Sequence, residues 1–158
     1  GNFGVQLRDD APVLTASPTQ LDPGTWTTQG LPFYSGHVSY FMEAQPQPGP
    51  EEKVFLAVND YTGVAVRAFV DHQEAGIIAW PPNEIELTSY FQDTRASRTI
   101  SVQVLGHRRN SHGPLHNSRT VLRGVGPGQF ETDGDDWCEG YNLVSCGLQQ
   151  PPQLSVRR

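Results

Sequence analysis

A chain of 158 residues lies inside the roughly 50–250 residue range of one domain, and a single domain over 1–158 is expected. A formal net charge of −6 supplies no basic footprint for a phosphate backbone, so nucleic acid is not an expected partner. No apolar run approaches the roughly 18–20 residues that cross a bilayer, so no membrane partner is expected either, and the start Gly1-Asn2-Phe3 reads as an excised piece of a larger protein rather than a signal peptide.

The 16 Gly and 13 Pro interrupt almost every window long enough for a helix, and the windows that escape them lack a 3.6-residue apolar stripe. Strands must build the fold. One is expected near Val5 to Arg8 or Val13 to Ala16. His37 to Glu43 is rich in β-formers and is ended by Pro46, Pro48 and Pro50. Lys53 to Val58 is a nearly continuous apolar run suited to an inner strand, followed by turn residues Asn59 to Gly63. Val64 to Asp71 and Ile77 to Trp80 read as a hairpin with a long tip at His72 to Gly76, stopped by Pro81-Pro82.

Further on, Glu84 to Thr88 alternates polar and apolar. In Ser97 to Leu105 the period of two sets Ile100, Val102 and Val104 on one face and Ser101, Gln103 and Leu105 on the other. Arg119 to Arg123 and Tyr141 to Ser145 read as two late strands. The count of about eight fits an all-β jelly-roll sandwich.

Several pieces in this order carry a resemblance: Gly30-Leu31-Pro32-Phe33-Tyr34-Ser35-Gly36 leading into Val38-Ser39-Tyr40, the hairpin Val66 to Trp80, Ile85-Glu86-Leu87-Thr88, Arg109-Asn110 with Gly113-Pro114-Leu115-His116, and Tyr141 to Leu148. Together they resemble the galactose-binding-like β-sandwich modules that accompany bacterial glycoside hydrolases. The resemblance covers about Trp26 to Leu148 and implies a jelly roll that binds glycan or supports a catalytic domain. Such modules usually close the hairpin with Asn-Gly. Here Asp71-His72-Gln73-Glu74 stands in that place, so a role of the tip does not carry over.

Aromatic rings stack on the C–H faces of sugars while polar neighbours fix the hydroxyls, which makes Trp26, Trp80 and Trp137 candidates for a sugar platform. The competing role is core. Trp80, ahead of two prolines, reads as a strand-end plug, whereas Trp26 and Trp137 suit either role. The loop Gly106 to Asn117 holds His107, His112, His116, Arg108, Arg109, Asn110 and Asn117. Its forks and amides can bind sugar hydroxyls or a carboxylate, or can satisfy the loop's own backbone. Gly113-Pro114 rules out a helix joining His112 to His116 around a metal.

Asp133, Asp135 and Asp136 offer oxygens to a structural calcium, without the spacing of a full calcium loop, and otherwise form a solvated acidic turn. Cys138 and Cys146 pair as a disulfide or stay as two thiols. No nucleophile elbow, phosphate loop or marked carboxylate pair is found, so the chain is not expected to be an enzyme itself.

The sequence therefore points to a monomeric, exported accessory module, secreted, periplasmic or at the cell surface. Its expected partners are a glycan or its parent catalytic domain. Trp26 and Trp137 are the expected stacking residues, with Arg109, Asn110 and His116 on the hydroxyls. The alternatives are a purely structural docking domain and a small hydrolase.

Overall fold

In a computed structural model of the chain, residues 2–92, 96–119 and 124–158 are described. They form two compact units woven from alternating stretches of chain, Gly1–Ser35 with His107–Cys146, and Gly36–Gly106 with Gly147–Arg158.

The first unit opens with a hairpin of β1 (Gly4–Arg8) and β2 (Ala11–Thr15), paired antiparallel from Gly4↔Thr15 to Arg8↔Ala11. Both candidate N-terminal strands therefore form, as partners of one another. The two residues between them, Asp9 and Asp10, sit at φ 47° and 61°, the left-handed pair that a tight two-residue hairpin turn requires. A 3-10 turn at Trp26–Thr28 follows, capped by the Thr25 hydroxyl. The long loop contains a single helical turn, α1 (Arg109–His112), which ends at Gly113.

The second unit carries β3 (His37–Ala44), β4 (Lys53–Ala57), β5 (Tyr61–Thr62), β6 (Ala65–Val70), β7 (Gln73–Ile78), β8 (Glu84–Glu86), β9 (Arg98–Leu105), β10 (Gly147–Leu148) and β11 (Gln153–Arg157). A four-stranded sheet runs in the order β3-β9-β6-β7, a three-stranded sheet in the order β11-β4-β8, and β10 pairs with β5. All the pairings are antiparallel.

Alternation decides the faces. Val66, Ala68 and Val70 on β6 and Ile100, Val102 and Val104 on β9 are buried, and Val54 and Leu56 on β4 supply the other layer. Each such aliphatic side chain contributes about 1.5–3 kcal/mol by leaving water. The layers meet where Gly76 on β7, at φ +151°, faces β8: a Cβ there would come 2.5 Å from Ile85 Cδ1. The result is an all-β sandwich, as the sequence implied.

Details differ from the sequence reading. Among the described residues there are eleven strands rather than about eight: both N-terminal candidates form, and the two-residue β5 and β10 and the C-terminal β11 are added. The hairpin tip is tight, with Asp71 and His72 both at positive φ between Val70 and Gln73, and a bulge at Ala68/Phe69 absorbs the extra residue. Tyr141 to Ser145 forms no strand; its backbone bonds go to loop groups instead. The expected strand Arg119 to Arg123 lies, beyond Arg119, outside the described residues. β11 was not anticipated, although Leu154 and Val156 alternate with polar neighbours after Pro151-Pro152.

Candidate functional site

The loop that follows β9 is organised around its own backbone. Asn110 is buried at the second position of α1, and its amide makes a closed pair with Val144: Nδ2 donates to the Val144 carbonyl at 2.7 Å, and the Val144 N–H donates to Oδ1 at 2.9 Å. An asparagine side chain thus acts as the strand partner that Val144 lacks. His107 accepts the Arg109 N–H at Nδ1 (3.2 Å) and so carries its proton on Nε2, which donates to the Ser145 carbonyl at 2.8 Å. Two side chains of the loop thereby fasten the segment 144–145.

His116 is fastened as well. Its Nδ1 lies 2.9 Å from the Glu139 carbonyl, and its ring rests on Tyr141 with centroids 4.7 Å apart. Tyr141 meets Phe33 edge-on at 5.1 Å. Main-chain bonds from Ser118 to Asp136 and from Cys138 to His116 tie the surrounding segments together, and Asn142 Nδ2 donates to the Asn117 carbonyl at 2.6 Å.

Arg109 differs from its neighbours. Its side chain folds back over Gly113, where a Cβ would stand 2.9 Å from both Cδ and Nη1. Both terminal nitrogens are buried and meet no hydrogen-bond acceptor among the described residues.

Of the five residues expected to contact sugar, the structure leaves few free to do so. Trp26 is 0% exposed and packs as a core ring, its backbone N–H donating to the Cys146 carbonyl and its indole beside Tyr34 at 5.9 Å. A ring with both faces covered offers no stacking surface, and this corrects its assignment as a platform. Asn110 is buried and spends one N–H and its Oδ1 on Val144. Trp137 keeps 40% of its surface exposed, next to a bridge between its own backbone and Asn117. Trp80 reverses its expected role: at 75% exposure it is the most open of the large apolar side chains among the described residues, not a plug.

The acidic turn does not gather into a cation cage. The Asp136 carboxylate receives Arg119 through Nε at 2.9 Å and Nη2 at 2.7 Å, and among the described residues no three His, Cys, Asp or Glu side chains converge. Cys138 and Cys146 are both free thiols. Burial pushes the Cys146 thiol above the ordinary cysteine range, against a smaller opposing pull from the His107 backbone N–H.

A second surface was not singled out from the sequence. On the outer side of the four-stranded sheet, register sets Ser39, Gln103, Arg67 and Ile77 in one row and Phe41, Ser101, Phe69 and Glu74 in the next. The first row is laced together: Gln103 Nε2 donates to Ser39 Oγ at 3.3 Å, and Arg67 reaches Gln103 Oε1 at 3.5 Å. Arg67 also pairs with Glu74, and its guanidinium lies 5.1 Å from the Phe69 ring centroid. Phe41 and Ile77 are 67% and 59% exposed. The signal for this face was present in the polar half of the β9 alternation, Ser101 and Gln103, but its partners come from strands distant in sequence.

Comparison with known proteins supports the architecture. Neither family models nor curated proteins give a match. Among solved structures, a rhamnosidase from Novosphingobium sp. PP1Y superposes with a TM-score of 0.54 at 15% identity, over 98% of this chain and 14% of that one. A β-D-glucuronidase from Dictyoglomus thermophilum gives 0.40 at 20% identity over 66% and 18%, and a GH2 β-galacturonidase from Eisenbergiella tayi gives 0.43 at 19% over 79% and 21%. The chain thus spans about a seventh of the rhamnosidase's length. At this identity the likeness to the rhamnosidase speaks to the fold.

Proposed function

We propose that this chain is a non-catalytic accessory β-sandwich of a glycoside hydrolase. One observation carries the reading: nearly the whole chain superposes on a small segment of a much longer rhamnosidase, which is how a subordinate module relates to an enzyme. The loop geometry supports a supporting role for that side of the molecule. Asn110, His107 and His116 direct their polar atoms to backbone groups of the segment 139–145, so the loop that most resembles the accessory modules works as a fastening.

The test compares the complete gene product with a version lacking these residues, and assays the isolated chain on 4-nitrophenyl glycosides. Loss of glycosidase activity or stability on deletion, with an inert isolated chain, is the expected result. Turnover by the isolated chain, or a natural product consisting of this chain alone, would overturn the proposal.

A further inference from the structure

We propose that the outer face of the four-stranded sheet is a binding platform for a neutral oligosaccharide, centred on Phe41, Arg67, Gln103 and Ser39. The inference extends the accessory reading by giving it a ligand surface, and it rests on the chemistry of that face.

Three features define the ligand. The first is an exposed ring, Phe41, on the edge strand β3, with Ile77 open on the opposite edge strand β7. Strands lie about 4.8 Å apart, so a row of four side chains crosses about 14 Å, the scale of a short chain of sugar rings rather than of one small molecule. Aromatic faces of this kind take the C–H face of a pyranose.

The second is a line of donors and acceptors already held in place. The Ser39 hydroxyl, the Gln103 amide and the Arg67 fork are joined by hydrogen bonds, and Ser101 stands between Phe41 and Phe69 in the neighbouring row. Hydroxyl, amide and guanidinium groups fixed along a line can meet successive sugar hydroxyls with little further ordering, which lowers the entropy cost of binding.

The third feature is charge. The Arg67 cation is closed by Glu74, and at the end of the same sheet Arg98 is closed by Asp71. Glu43, on the same face of β3, holds its carboxylate on the Ser97 and Thr99 hydroxyls with no cation partner among the described residues, so the face carries a slight negative excess that repels a polyanion. The first row is polar up to Ile77 and in the second Ser101 and Glu74 interrupt Phe41 and Phe69, so among the described residues these two rows offer no continuous apolar area for the dry core of a protein interface. A neutral, hydroxyl-rich and C–H-rich ligand is the chemistry that fits.

The experiment is titration of the 158-residue chain with cellohexaose, xylohexaose and mannohexaose, with hexagalacturonate as the anionic comparison, read by calorimetry and by backbone amide NMR. The expected result is saturable binding of at least one neutral hexasaccharide. Amide shifts should be concentrated on β3, β9, β6 and β7. Affinity should fall about tenfold or more in Phe41→Ala and in Gln103→Ala, each about 1.4 kcal/mol. Both side chains lie on the outer face, and an unchanged unfolding midpoint will show that the variants fold.

Silence of all three neutral sugars overturns the platform, as does binding of the hexagalacturonate alone or binding that Phe41→Ala leaves intact. None of these outcomes bears on the deletion test of the accessory role, so the two proposals fail separately.

Discussion

Asn110 and Val144, thirty-four positions apart, are joined by two reciprocal hydrogen bonds that imitate one rung of a β-ladder. Replacing the amide by Leu removes both hydrogen bonds from the partly buried N–H and C=O of Val144. A hydrogen bond of this kind contributes about 0.5–1.5 kcal/mol net. Asn110→Leu should therefore lower unfolding free energy by about 1–3 kcal/mol in urea denaturation. A variant of full stability would show that the amide is held for a ligand instead.

Gly113 is fixed by the arginine folded over it. Its φ of −85° suits any residue, so the obstacle to a larger side chain is steric: a Cβ would press on the Arg109 carbonyl, Cδ and Nη1. Gly113→Ala should cost about 1–3 kcal/mol, the usual range for overpacking. The double variant with Arg109→Ala should recover part of it.

Arg109 buries both terminal guanidinium nitrogens without an acceptor among the described residues. Charge held away from water and partners opposes folding, and hydrophobic replacement at such sites is often neutral or stabilising. Arg109→Met should leave the thermal midpoint unchanged or raise it. A loss of more than about 1 kcal/mol of unfolding free energy would reveal an acceptor that meets the fork in solution.

The β6–β7 tip combines strain with an ion pair. His72 holds φ at 69°, and left-handed backbone costs a non-glycine residue roughly 1–2 kcal/mol, so His72→Gly should stabilise by about 1 kcal/mol. Beside it, the Arg98 hydrogen bond, with a second from the Thr99 N–H, holds the Asp71 carboxyl below the usual carboxylate range. A depressed folded pKa stabilises above the unfolded value and is lost as pH falls through the folded one. Stability should therefore decline on acidification below the ordinary aspartate range, and Asp71→Asn should flatten that limb in denaturation curves measured across pH.

Thiol chemistry should separate the two cysteines. Cys146 is buried and its thiol is pushed up by burial, whereas Cys138 is partly open and its thiol approaches the Gly140 carbonyl at 3.4 Å. Iodoacetamide near neutral pH should label Cys138 in the folded chain, and Cys146 only after denaturant is added. Equal labelling rates would contradict this packing.

Much of the sandwich was legible because a strand's faces are decided locally. The period of two in Ser97 to Leu105 named Ile100, Val102 and Val104 as inward, and they are buried; the apolar run at Lys53 likewise marked β4. What the chain's local pattern does not contain is the identity of distant partners. Trp26 and Trp80 each stand in turn-forming company, yet the first is anchored by the Cys146 carbonyl far along the chain and is sealed, while the second is open to water.

Tyr141 to Ser145 has the composition of a strand but finds a side-chain amide where a neighbouring strand would have to be. The outer face of the four-stranded sheet, likewise, exists only once register brings Ser39, Gln103 and Arg67 side by side. Alternation is a property of neighbouring residues and can be read from them. Burial, pairing and the assembly of a site depend on contacts between residues far apart in the chain, and for those the tertiary structure was decisive.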